Sequence, residues 1–131
     1  MTKLTDDAYR KAIEKGERFI LQALPCMSLR DVVEQLGISD KELVRTAIIL
    51  EDNSERVCPS FQFDLVNRRV HPVVGYANQI LSSVSDQFDT AAWWITSTDT
   101  IDGSTPLDLL DKGELTEDLV DTVIHFSQQG M

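Results

Sequence analysis

The sequence predicts a mostly α fold: a helix-turn-helix lobe with a short β-hairpin, followed by a small C-terminal helical bundle. Three observations predict it. Apolar residues recur at helical spacing through most of the 131 positions. Two short helical segments, each opened by a serine, meet at Gly37-Ile38-Ser39. From Arg56 to Val70 the pattern changes to one of alternation. The length suits one compact domain or two small lobes sharing a core. The division falls between residues 1–71 and 72–131.

Thr5 reads as an N-cap, with Asp6 and Asp7 favoured by the helix dipole. The helix it opens should run to about Leu24, with Tyr9, Ile13, Phe19, Ile20 and Leu24 as its apolar stripe, and end at Pro25. Ser28 caps a second helix whose buried side is Val32, Val33 and Leu36, and Gly37 stops it with a left-handed residue. Ser39 caps a third, with Leu43, Val44, Ala47, Ile48 and Leu50 at helical spacing. Together they have helix-turn-helix dimensions.

Val57, Pro59, Phe61 and Phe63 then alternate with Cys58, Ser60 and Gln62, predicting a strand. Asp64 to Asn67 turns, and Arg68-Arg69-Val70 returns as a second strand, in the position of a wing. Pro59 confines the first strand to an edge or to its start. Pro72 opens a helix carrying Val73, Tyr76, Ala77, Ile80 and Leu81, and another spans Thr90 to Ile95. After the Asp102-Gly103 turn, Thr105-Pro106 starts a brief helix. Thr116 caps the last, and residues 127–131 form a frayed tail.

Charge divides the chain unevenly. Residues 72–131 carry ten acidic residues and one basic residue, Lys112, a net −9 out of a total −10. Such a field repels nucleic acid, so any DNA contact falls to the first half. That half is itself close to neutral. A 42% hydrophobic and 26% charged composition indicates a folded chain, and no apolar run approaches a membrane span. The cytoplasm is the expected location. The spacing of Cys26 and Cys58 suggests neither a disulfide framework nor a metal site, and both are expected to be buried thiols. Isolated His71 and His125, no phosphate-cradling glycine loop and no nucleophile–base pair predict no catalytic residues, metal or cofactor.

The candidates are therefore binding residues. On the third helix Lys41, Arg45 and Thr46 are expected to face outward, where they would reach phosphates or base edges. Arg56, Arg68 and Arg69 on the hairpin would grip neighbouring phosphates, unless local acids such as Glu51, Asp52, Glu55 and Asp64 pair with them. Trp93 and Trp94 point about 100° apart on a helix, so one of them can anchor an interface.

The succession of motifs resembles a bacterial antitoxin family. A helix-turn-helix is followed by Pro59-Ser60-Phe61-Gln62-Phe63-Asp64, then by Val70-His71-Pro72-Val73-Val74. Trp93-Trp94-Ile95 and Gly103-Ser104-Thr105-Pro106-Leu107-Asp108-Leu109-Leu110 complete it. Over residues 28–126 this is similar to proteins with the Xre/MbcA/ParS-type toxin-binding domain, the partners of RES-class toxins. The resemblance implies an operator-binding first half and C-terminal helices that cover an NAD-consuming toxin. The tail would occlude the toxin's pocket. The implied partner-binding residues are Trp94, Thr105, Leu109, Phe126, Gln128, Gln129 and Met131, and a homodimer is compatible with it.

Two other readings stay open. One is a small acidic inhibitor or adaptor mimicking nucleic acid, with carboxylates from Asp99 to Asp121 standing in for phosphates. The other is a stand-alone winged-helix regulator whose C-terminal helices dimerise.

Overall fold

The computed structural model describes residues 6–129, so the expected Thr5 cap lies outside the described residues. Helix α1 (Asp6–Ala23) is followed by strand β1 (Cys26–Ser28) and by α2 (Leu29–Asp31), which continues as a π-helical turn, Val32–Leu36. Helix α3 (Asp40–Thr46) leads to strands β2 (Leu50–Asp52) and β3 (Glu55–Pro59). A 3-10 turn at Ser60–Gln62 precedes β4 (Phe63–Asp64) and β5 (Arg69–Val70). The rest is helical: α4 (Pro72–Ser82), α5 (Gln87–Trp94), a 3-10 turn at Asp99–Ile101, α6 (Pro106–Asp111) and α7 (Glu117–Gln129). Mostly α is the right class. No described helix is long and apolar enough to cross a membrane.

The expected caps hold. The hydroxyls of Ser28 and Ser39 accept from Asp31 N–H at 3.1 Å and Glu42 N–H at 3.2 Å, and Gly37 takes φ +71° between the two helices. Thr116 accepts from Leu119 N–H at 3.2 Å, at the start of α7. Asp102 and Gly103 both take left-handed φ in the turn before α6.

Several expectations fail, for identifiable reasons. Helix α3 stops at Thr46, and Leu50 begins a strand. Beyond Ala47 the helix loses the contest for Ile48: its N–H donates to Gln62 Oε1 at 2.6 Å and its C=O accepts from Gln62 Nε2 at 3.1 Å. A buried side-chain amide thus supplies what the next helical turn would have supplied. Val44, expected inward, is 72% exposed. The main hairpin is also displaced. Strands β2 and β3 pair through Asn53-Ser54, both with positive φ, the primed turn suited to two-residue loops. Strand β3 also pairs with β1, giving the order β1-β3-β2 with Met27 opposite Cys58. The expected turn at residues 64–67 exists, but it joins the two-residue strands β4 and β5. Helix α7 runs through Gln129, and residues 130–131 of the expected tail lie outside the described residues.

A single apolar cluster links the segments on either side of residue 71. It extends from Leu24, Leu43 and Ile48 to Val74, Trp94 and Val123. Inside it lies a polar relay. Asn78 Nδ2 donates to Thr46 C=O at 2.9 Å and to Gln62 Oε1 at 3.0 Å, while Asn78 Oδ1 accepts from Trp94 Nε1 at 3.0 Å. Gln62 Nε2 also donates to Pro59 C=O at 3.0 Å. Gly75 lets α4 approach α3: a Cβ there would stand 3.4 Å from Thr46 Cβ. Cys58 is buried, which pushes its thiol up to about 11, whereas Cys26 is exposed and not the buried thiol expected.

Candidate interaction surfaces

Two of the candidate basic residues converge. Arg45 from α3 and Arg69 from β5 line an open groove of about 410 Å³, together with His71 and Gln79. Glu42 and Glu117 stand on the same walls, so the groove is not uniformly cationic. Tyr76, also lining it, donates its hydroxyl to Asp121 at 2.7 Å, and that bond raises the phenol's pKa. Lys41 lies one side away, sharing a shallower cavity of about 340 Å³ with Ser39, Glu42 and Arg45.

Thr46 does not face outward. It is 8% exposed, its hydroxyl donates to Glu42 C=O at 2.8 Å, and its carbonyl is held by Asn78. The packing of α4 on α3 explains this, because α4 covers the face that the sequence left open. Arg56 and Arg68 are exposed on different hairpins and do not join the groove. Arg56 shares the β2–β3 hairpin with Glu51, Asp52 and Glu55, so this projection is acidic. Arg69 lies 3.5 Å from Asp64, the local pairing that was weighed against phosphate binding. Asn67 holds the Asp64 carboxyl below its ordinary range by two hydrogen bonds, from its backbone and its side chain.

The implied partner-binding residues are similarly divided. Trp94 is fully buried and Leu109 nearly so; both are core. Trp94 is drawn in by Asn78, the acceptor its indole needs. Thr105 works as a cap: it forms a reciprocal box with Asp108, with N–H to Oδ2 at 3.1 Å and N–H to Oγ1 at 3.0 Å. The Thr105 backbone N–H first, and its side chain second, hold the Asp108 carboxyl below its usual range. Phe126 is 54% exposed on α7 and is free to meet a partner. Gln128 and Gln129 lie on the last turn of α7, and Met131 lies outside the described residues.

The residue that sequence reasoning undervalued is Trp93. It packs edge-on against Trp94, with ring centroids 4.9 Å apart. It also lines a cavity of about 300 Å³ between α4, α5 and α7, with Leu81, Ala92 and Ile124 as apolar walls and Ser85, Asp89 and Thr96 at the polar side. Its Nε1 is buried without a hydrogen-bond acceptor. An indole N–H in that state costs roughly 1–3 kcal/mol. The paired tryptophans were the available signal, since only one could be satisfied inside the core.

Comparison of the chain with family models, with curated proteins and with solved structures finds no match. The functional reading therefore rests on this chain's own surfaces. They offer a mixed-charge groove at the α3–α4 junction and an apolar cavity in the acidic half. The carboxylates considered for mimicry serve varied purposes: Asp108 closes a cap, Asp121 holds Tyr76, and Glu117 and Asp118 stand in the first turn of α7.

Proposed function

We propose that this protein is an antitoxin-like binding module whose C-terminal half docks on a basic protein, in the manner implied for the partners of RES-class toxins. The observation that carries this reading is the α4–α5–α7 cavity. It is open and mostly apolar, and Trp93 on its wall carries an indole N–H that is buried without an acceptor. A partner's apolar side chain would fill it. The −9 charge of residues 72–131 supports a basic partner, because complementary fields speed encounter and fix orientation.

The test is co-expression with the product of the adjacent gene. The expected result is relief of growth arrest and co-purification of the two chains. Thr96→Arg, introduced at an exposed position on the cavity's rim, is expected to abolish both while leaving the circular dichroism spectrum unchanged. A neighbouring product that neither arrests growth nor associates would remove the reading.

The order of elements favours a second reading. The succession α1-β1-α2-α3-β2-β3, with sheet order β1-β3-β2, is compatible with a winged helix, whose third helix would enter the major groove. Lys41 and Arg45 are exposed on α3 and would make the contacts, in an autoregulatory role or in a stand-alone regulator. The acidic β2–β3 hairpin weighs against strong affinity. A gel shift with upstream DNA at two salt concentrations discriminates: this reading requires binding that is lost with Arg45→Ala.

A further inference from the structure

Helix α1 has an apolar face that the other described residues leave largely uncovered. Tyr9, Ile13 and Phe19 were expected to pack inward, yet they are 60%, 45% and 66% exposed. Only Ile20 of this helix is buried, and every residue from Asp6 to Gly16 is exposed. Three turns of helix at that length are marginal in water without a packing partner. At 100° per residue, Tyr9, Ile13, Gly16 and Ile20 fall within one narrow stripe, with Ala12 and Phe19 broadening it on one side.

Charge selects what can cover this stripe. Helix α1 carries four acids and four bases, so it is neutral within a chain of net charge −10. Two copies of the chain repel one another through their acidic halves, and α1 belongs to the near-neutral half, where that repulsion is weak. The relief is also self-complementary. Beside Gly16 is an open groove of about 360 Å³ between α1 and the start of α5, and a Cβ built at Gly16 would meet nothing within 4 Å. Tyr9 lies seven residues away on the same stripe. In an antiparallel pair crossing near Ala12 and Ile13, each Tyr9 falls over the other copy's Gly16, a bulky ring over the position with no side chain.

We infer that the protein is a homodimer joined by an antiparallel pairing of α1 helices through the Tyr9–Ile13–Gly16 stripe. The two-fold relation makes one patch serve both subunits. This inference does not depend on the partner-binding reading, because it involves the opposite end of the chain.

The test begins with light scattering on the full chain at about 10–100 µM, the range of a moderate dimer. The expected mass is twice the 14.7 kDa of one chain. Ile13→Arg is expected to return the mass to that of one chain, with the circular dichroism of the core retained. Orientation is read by disulfide trapping in a Cys26→Ser background. Tyr9→Cys and Gly16→Cys chains should cross-link when mixed, and neither should do so efficiently alone. A monomer throughout the concentration range, or a dimer indifferent to Ile13→Arg, overturns the inference. Cross-linking of Tyr9→Cys to itself in preference to the mixture overturns the antiparallel arrangement.

Discussion

At the scale of single residues, two buried amides decide how the halves of this chain meet. Gln62 makes four hydrogen bonds and Asn78 three, all in surroundings closed to water. Their partners are backbone groups of Ile48, Thr46 and Pro59 and the indole of Trp94. Removing one amide leaves several of these groups desolvated and unpaired, and each orphan costs roughly 1–3 kcal/mol. Gln62→Ala should therefore lower unfolding free energy by about 3 kcal/mol or more, beyond an ordinary surface change. Urea denaturation would report it as a large drop in midpoint with little change in slope. A loss under about 1 kcal/mol would mean that water reaches the site and replaces the amide. The pattern around Gln62 gave no warning of this, because an alternating segment places glutamine on a strand's solvent face. Its real importance depends on Ile48, fourteen positions away, and on Asn78, sixteen away.

At the scale of elements, what was legible in the sequence is local chemistry. Ser28, Ser39, Thr105 and Thr116 cap helices where a hydroxyl precedes an acidic or apolar run, and Gly37 and Gly103 take positive φ where turns require it. These features need only four or five residues to be read. Tertiary competition was not legible. The helical spacing of Leu43 to Leu50 was interrupted by Gln62, and the face of α3 that bears Thr46 was covered by α4. The candidate site suffered in the same way: Arg45 and Arg69 converge, whereas Trp94 and Leu109 are core and Trp93 holds the unpaired donor. The caps permit a test of their own. Thr105→Ala removes the acceptor for Asp108 N–H and should cost about 1 kcal/mol of stability. Asp108 has a folded pKa below its ordinary value because Thr105 bonds to its charged form. Its contribution is therefore present above about pH 4, the unfolded carboxyl range, and is lost as pH falls through the lower folded value. Asp108→Asn should flatten the acid limb of a stability–pH profile and change little in its slope above neutrality.

At the scale of the whole molecule, surplus charge makes two salt effects run in opposite directions. The described residues contain two ion pairs, Arg30–Glu34 and Arg69–Asp64, both between partly or largely exposed groups that contribute little. Against them stands a net −10, most of it gathered in residues 72–131, where self-repulsion opposes folding. Raising ionic strength from about 10 mM to 150 mM shortens the screening length from roughly 30 Å to 8 Å. That change silences repulsion between distant carboxylates while leaving the buried amide relay untouched. The melting temperature should therefore rise with added sodium chloride. Encounter with the basic partner proposed above would depend on the same field reaching outward, so its association rate should fall as salt is added, by tenfold or more over that range if steering dominates. Stopped-flow association and thermal melts on one preparation measure both. A fold that loses stability with salt would mean that attractive surface pairs outweigh the surplus charge. An association rate that ignores salt would mean that the acidic half has no part in steering its partner.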